Sequence, residues 1–284
     1  MIRRVAVIGA GTMGAEIAAL AALGGYETAL HDRSPAALKR ARERLTHRLP
    51  QMERRGKIGP GAAAAALERL RLEGSLASAV AEADFVIEAV YEDLELKRSL
   101  FAELDRLAPP HAVLATNSST IVSSRLADAT RRPERVINMH FFTPPLVMEV
   151  VEVVQGPHVA DETAAATMEV ARRMNREPVL LRRECFGFVV NRVLGAVLNE
   201  ALRIVEEGIA TPEEVDHLVH KALGYPLPPF RTLDLVGNDV AWYVRRERAR
   251  YTSNPEDGPS PLLTEKVEKG ELGRKTGKGW YTYG

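Results

Sequence analysis

Residues 5–32, VAVIGAGTMGAEIAALAALGGYETALHD, leave few folds open. An apolar strand runs into Gly9-x-Gly11-x-x-Gly14, a helical stretch follows, and a second short strand stops at Asp32. That order outlines a dinucleotide site. The first glycine lets the chain turn tightly, the second lets backbone approach a pyrophosphate, and the third lets the helix pack on the strand. Phosphate then sits on the helix N-terminus, where unpaired N–H groups and the positive dipole end face it. Gly9, Ala10, Gly11, Thr12, Met13 and Gly14 are the expected cradle. Asp32 falls 23 residues after Gly9, where a carboxylate accepts hydrogen bonds from a ribose 2′-hydroxyl and repels a 2′-phosphate. NAD is therefore expected over NADP, a preference that Arg33 next door weakens a little. The plainer alternative is that the glycines only permit close packing in a nucleotide-free α/β domain.

At 284 residues and 45% hydrophobic composition the chain can bury a large core, in one large or two moderate domains. Its 38 basic and 38 acidic residues cancel, so no global field draws it to nucleic acid or an anionic membrane. An anionic partner must be met by a local patch. Cys185 is the only cysteine, which excludes an internal disulfide, and no Cys/His spacing suits a metal. Arg3 and Arg4 before an apolar run suggest a signal peptide, but Glu16 interrupts that run and no cleavage region follows. With no apolar stretch near the roughly 20 residues needed to cross a bilayer, the expected location is cytoplasmic.

Short apolar strands alternate with helical stretches over the first 180 residues or so, most clearly at 5–8, 28–31, 85–90, 113–116 and 136–140. The alternation predicts a Rossmann-type, mostly parallel sheet covered by helices. Candidates at 148–154 and 179–181 follow with little helix before the first, and are expected to close the sheet with mixed direction. After Arg182 and Arg183 the pattern changes. Residues 186–207 read as one long helix apolar over most of its circumference, hence buried on several sides. Thr211-Pro212-Glu213-Glu214 announces the next helix with a capping box, and Gly224 closes it. The fold class is α/β: a dinucleotide-binding domain over 1–182, then a smaller all-α domain over 183–284.

The block His140-Phe-Phe-Thr-Pro-Pro-Leu-Val-Met-Glu-Val-Val-Glu152 places a histidine at a strand end and a carboxylate in an apolar strand beyond a proline turn. A carboxylate there is costly unless paired, and His140 is a plausible partner. Such a pair makes a base, because the carboxylate fixes the imidazole tautomer and stabilises the imidazolium. Equally open on spacing is a satisfied buried histidine with Glu152 reaching solvent.

Together with Ile87-Glu-Ala-Val-Tyr-Glu92, Thr116-Asn-Ser-Ser119, Gly187-Phe-Val-Val-Asn-Arg192 and Gly273-Arg-Lys-Thr-Gly-Lys-Gly-Trp280, these motifs cover nearly the whole chain. In this order the sequence resembles the NAD-dependent L-3-hydroxyacyl-CoA dehydrogenases, including the bacterial 3-hydroxybutyryl-CoA dehydrogenases. The resemblance implies that His140 is the catalytic base, that Glu152 orients it, and that Ser119 and Asn191 hydrogen-bond the reacting oxygen. It also implies that Glu92 and Lys97 lie near the cofactor, although alone they read as a solvated helix start. A homodimer through the second domain is implied as well. Residues 38–58 carry eight basic side chains against Glu43 and Glu53, and the resemblance makes this the CoA-binding region, with Arg48, Arg55 and Lys57 on the substrate. The competing reading is a solvated face in an arginine-rich chain.

Two departures stand out. Thr143 replaces the common asparagine after His-Phe-Phe, which alters hydrogen bonding to cofactor or substrate. Pro228 replaces a usual glycine in Gly224-Tyr-Pro-Leu-Pro-Pro229 and stiffens that loop. The runner-up functions are a dehydrogenase of a free hydroxy or sugar acid such as gulonate, and a non-catalytic NAD-binding regulator.

Overall fold

The turn at Gly9 joins β1 (Arg4–Ile8) to α1 (Thr12–Leu23), and β2 (Glu27–His31) returns parallel to β1. The structure, a computed structural model, describes residues 2–284, in two compact units that divide between Cys185 and Phe186. In the first unit the chain continues through α2 (Pro35–Arg54), α3 (Ala62–Arg69), β3 (Leu70–Glu73), α4 (Leu76–Val80), β4 (Phe85–Glu88) and α5 (Leu94–Leu107). Then come β5 (Val113–Thr116), α6 (Ser124–Ala127), β6 (Val136–Phe141), β7 (Val150–Val154), α7 (Asp161–Arg173) and β8 (Glu177–Leu181).

All eight strands form one sheet in the order β3-β2-β1-β4-β5-β6-β7-β8. Only β6 and β7 pair antiparallel; β8 then runs parallel to β7, the mixed closure expected from the sequence. Period-two alternation sends Val5 and Val7 to one core and Ala6 and Ile8 to the other. Both faces are covered, which is why the central strands read as continuous apolar runs.

β3 is absent from the strands expected above. Its sequence Leu-Arg-Leu-Glu alternates, but it is short, lies at the sheet edge and follows directly on α3, so the alanine-rich helix hides it. Candidate 85–90 stops two residues early, because Ala89 and Val90 already belong to the turn facing Gly9.

The second unit holds α8 (Val190–Glu206), α9 (Pro212–Leu223), α10 (Pro229–Val236), α11 (Asn238–Thr252) and α12 (Pro261–Glu268). Leu198, Leu202, Val215, Phe230, Leu233 and Leu263 make its core. The long helix expected at 186–207 is shorter and buried on one side only. Residues 186–189 are turn, and Val190, Val193 and Leu194 are exposed while Leu198, Ala201 and Leu202 are buried. Apolar character therefore did not equal burial within this chain. The capping box on α9 is present, and Gly224 ends the helix at φ 71°. Pro228 and Pro229 start α10, whose first free N–H groups, from Phe230 and Arg231, bond Asp216. The Gly-Arg-Lys-Thr-Gly-Lys-Gly-Trp segment wraps Asp234, which accepts from the backbone N–H groups of Trp280 and Tyr281 at 2.9 Å each. A Cβ on Gly279 would fall 1.9 Å from the Asp234 carboxylate, so that motif is needed for packing.

Candidate active site

The three glycines hold distinct positions. A Cβ on Gly9 would lie 2.6 Å from the Ala89 carbonyl oxygen, and one on Gly14 only 1.8 Å from the Gly9 carbonyl oxygen. These two are fixed by backbone crossing backbone. At Gly11 a Cβ would meet nothing within 4 Å, so the open side of the turn is available to a ligand. Asp32 binds the turn directly: its Oδ2 accepts from Ala10 N–H and its Oδ1 from Ser34 N–H, both at 2.8 Å. Each oxygen retains a lone pair for a ribose hydroxyl.

A cleft of about 1360 Å³ opens here, with Gly9–Met13 and Asp32 on one wall and Val90, Tyr91 and Leu96 on another. It sits where the strand order reverses, between the C-terminal ends of β1 and β4, the general location of ligands in open parallel sheets. Shape, the open Gly11 and the acceptor Asp32 all fit a dinucleotide.

Glu92 and Lys97 lie behind that wall. Lys97 is a buried ion, with its Nζ 2.5 Å from Glu88 Oε1 and 3.3 Å from Glu92 Oε2. Thr116 Oγ1 and Val90 N–H donate to Glu88 at 2.7 Å, while Ser118 and Thr120 hydroxyls donate to Glu92. Burial pushes the Glu92 carboxyl upward, but the Lys97 ammonium and the Ser118 and Thr120 donors outweigh it and hold the group below the usual glutamate range. The solvated helix start read from sequence is thus corrected: Lys97 is 1% exposed. Glu88, which sequence reasoning missed, anchors the cluster, and its signal was a carboxylate ending the apolar strand Phe-Val-Ile-Glu.

His140 and Glu152 face each other across the β6–β7 pair, in direct register. Their Cβ atoms are therefore neighbours on one face of the sheet. His140 Nδ1 is 2.8 Å from Glu152 Oε2, and both side chains are buried. A carboxylate only accepts, so Nδ1 is the donor, and in a neutral ring the basic nitrogen is then Nε2. The Phe142 ring stands edge-on to the imidazole at 4.7 Å.

Ser119, half-buried, lies just past β5 in a loop fastened to β6. Asn117 Oδ1 accepts from Phe141 N–H at 2.9 Å, and Asn138 Nδ2 donates to the Ser118 and Ile121 carbonyls. Asn117 and Asn138 were not foreseen, though an asparagine inside Val-Ile-Asn-Met-His-Phe was a legible signal. Beyond His140 the chain docks on α1: Thr143 Oγ1 is 3.0 Å from Met13 Sδ, and Leu146 N–H donates to Glu16 Oε2 at 3.1 Å. The same buried glutamate that broke the signal-peptide pattern ties the histidine's loop to the glycine-turn helix.

The basic stretch does not act as one surface. α2 ends at Arg54, and its residues Ala37, Arg40, Ala41 and Arg44 line the large cleft. Arg48, Arg55 and Lys57 instead line a second cavity of about 510 Å³, together with Leu146 and Val147 of the loop after His140. Asn191 stands in the first turn of α8, in the second unit.

A nicotinamide-dinucleotide oxidoreductase is the class this geometry defines, since the cleft takes the cofactor and a histidine–carboxylate pair sits within the same sheet. The 3-hydroxyacyl-CoA dehydrogenase NAD binding domain matches residues 4–185, and the 3-hydroxyacyl-CoA dehydrogenase C-terminal domain matches residues 187–283. The chain belongs to the 3-hydroxyacyl-CoA dehydrogenase family. It is 40% identical to a 3-hydroxybutyryl-CoA dehydrogenase of Mycobacterium tuberculosis (strain CDC 1551 / Oshkosh) over 99% of both chains. Among solved structures it is similar to 3-hydroxybutyryl-CoA dehydrogenase from Escherichia coli (TM-score 0.95, 38% identity), covering 100% of this chain and 60% of that longer one. The (S)-3-hydroxybutyryl-CoA dehydrogenase from Ralstonia eutropha gives a TM-score of 0.94 at 34% identity, with 100% of each chain covered.

Proposed function

We propose that this chain transfers hydride between C3 of an L-3-hydroxyacyl-CoA and NAD, interconverting it with the 3-oxoacyl-CoA. The observation that carries the reading is the buried His140–Glu152 pair, joined through Thr143 and Leu146 to the helix of the glycine turn. Gly9–Gly14 and Asp32 hold NAD, which supplies the hydride acceptor. His140 Nε2 takes the hydroxyl proton as C3 is oxidised, and Glu152 stabilises the imidazolium that results. Ser119 and, on its motif alone, Asn191 donate hydrogen bonds to the oxygen as charge moves through it. In reduction the imidazolium returns the proton. Glu92 and Lys97 act from behind the cleft wall by fixing the loop that carries Ser119.

The second cavity favours the CoA ester over a free hydroxy acid, because Arg48, Arg55 and Lys57 supply forked and point-charge donors for phosphate where a small acid needs none. The first unit is the NAD domain and the second the substrate and dimerisation domain; the units divide after Cys185, three residues beyond the 182/183 boundary expected from sequence. A homodimer is supported by the exposed Val193, Ile209, Leu218 and Leu223 of the second unit; light scattering should give about twice the 31.2 kDa chain mass. A cytoplasmic location fits the absence, among the described residues, of a helix long and apolar enough to cross a membrane.

An NADH-absorbance assay across L-3-hydroxyacyl-CoAs of different lengths tests the function. Glu152→Gln should lower kcat by up to the roughly 10²- to 10⁴-fold that a positioned base is worth, because His140 loses the carboxylate that orients it and stabilises its imidazolium. Arg55→Ala in the same assay should raise KM for the ester and spare that for NAD. No turnover of any CoA ester with NAD, or full activity of Glu152→Gln, contradicts the reading.

A further inference from the structure

The face of α2 that lines the large cleft reads Ala37, Arg40, Ala41, Arg44, at intervals of three, one and three residues. That spacing puts all four on one side of the helix, small side chains leaving room and long cationic ones reaching across it. Arg44 reaches the glycine turn itself. Its Nη2 donates to the Gly11 carbonyl at 3.0 Å, its Nη1 lies 3.4 Å from Thr12 Oγ1, and its Nε is buried with no hydrogen-bond partner. The guanidinium is thus held beside Gly11, the one glycine of the turn with open space in front of it.

A pyrophosphate in this cleft brings two negative charges to the start of α1, whose first turn, Thr-Met-Gly-Ala, contains no cation. The helix N-terminus offers about half a charge. The other charged groups lining the cleft are Asp32 and Glu103, both acidic, and Arg33 and Arg40, which do not bond the turn. We propose that Arg44 is the side-chain counter-ion of the cofactor's pyrophosphate. It turns from, or shares, its bonds to Gly11 and Thr12 to meet a phosphate oxygen, so that α2 binds anions twice: cofactor phosphate through Arg44 and substrate phosphate further along. The inference rests on the NAD reading above.

Isothermal titration of the full chain with NADH, ADP and adenosine tests it without reference to turnover. Arg44→Ala should weaken NADH and ADP about tenfold or more, the scale of a lost charge-assisted hydrogen bond, and adenosine less than about twofold. Arg44→Gln keeps an N–H donor for the Gly11 carbonyl but no charge, and should behave like the alanine variant. Arg44→Lys should recover part of the loss. Wild-type ADP affinity in Arg44→Gln, or an equal loss for adenosine and ADP, overturns the assignment, the latter because it marks a collapsed turn. Wild-type chain that binds no NADH overturns the NAD reading and this one together, whereas tight NADH binding unchanged in all three variants removes only Arg44.

Discussion

Two buried carboxylates on the strands of this sheet, Glu88 and Glu152, meet different nitrogens. In the cluster of Glu88, Glu92 and Lys97, one ammonium lies between two carboxylates, and hydroxyls and backbone N–H groups take further oxygens. Each charge there is answered by an opposite charge or by a hydrogen-bond donor. In the pair of His140 and Glu152 a carboxylate meets an imidazole, the side chain that proteins most often use to carry a proton. In the reaction proposed above, that carboxylate would favour the charge a ring gains on taking a proton. Burial is shared by Glu88 and Glu152; what separates them is the nitrogen each one meets. The cluster fastens the loop after β4 to the loop after β5, and the His140–Glu152 pair is the one the proposed reaction uses.

Lys97→Met is the severest way to break that contrast. It strands Glu88, which is 0% exposed, without its cation, and removal of one partner from a buried pair costs about 3–5 kcal/mol. Urea unfolding should show the midpoint fall sharply with an unchanged slope. Glu152→Gln should do the reverse, leaving the midpoint near wild type while turnover collapses, because the amide can still bond a neutral imidazole. A Lys97→Met chain as stable as wild type would mean that the cluster is not structural.

How much of this was legible depended on whether a residue's partner was set by local chain geometry. The glycine turn and Asp32 were readable because one strand–helix–strand unit fixes all their positions. His140 and Glu152 were readable as a candidate pair because a short proline turn between two strands leaves few registers, though only the observed His140-opposite-Glu152 register brings them to 2.8 Å. Lys97 was misread because its partner Glu88 lies on the preceding strand, and an amphipathic helix start gives no hint that one lysine points inward. α8 was misread for the converse reason: apolar residues on several sides signal contact surface, and sequence does not say whether the chain itself covers it. The basic stretch was treated as one patch, since a charge count does not show that a helix turns different residues toward different cavities.

Glu92 sharpens the contrast with the smallest effect. Its carboxyl feels burial, which favours the neutral form, yet the Lys97 charge and the Ser118 and Thr120 donors prevail and depress its proton affinity. A group depressed in the folded state stabilises that state above its unfolded value, about 4.3 for glutamate, and loses this contribution as pH falls through its folded value. The wild type should therefore exceed Glu92→Gln in stability at pH 7, with the gap closing in the acid range below about pH 4. Each tenfold of depressed proton affinity is worth about 1.4 kcal/mol, well under the loss expected from Lys97→Met. Paired urea titrations at several pH values measure the gap. A gap that stayed constant through the acid range would mean that Glu92 contributes by shape alone, and the cluster would then owe its charge balance to Glu88 and Lys97.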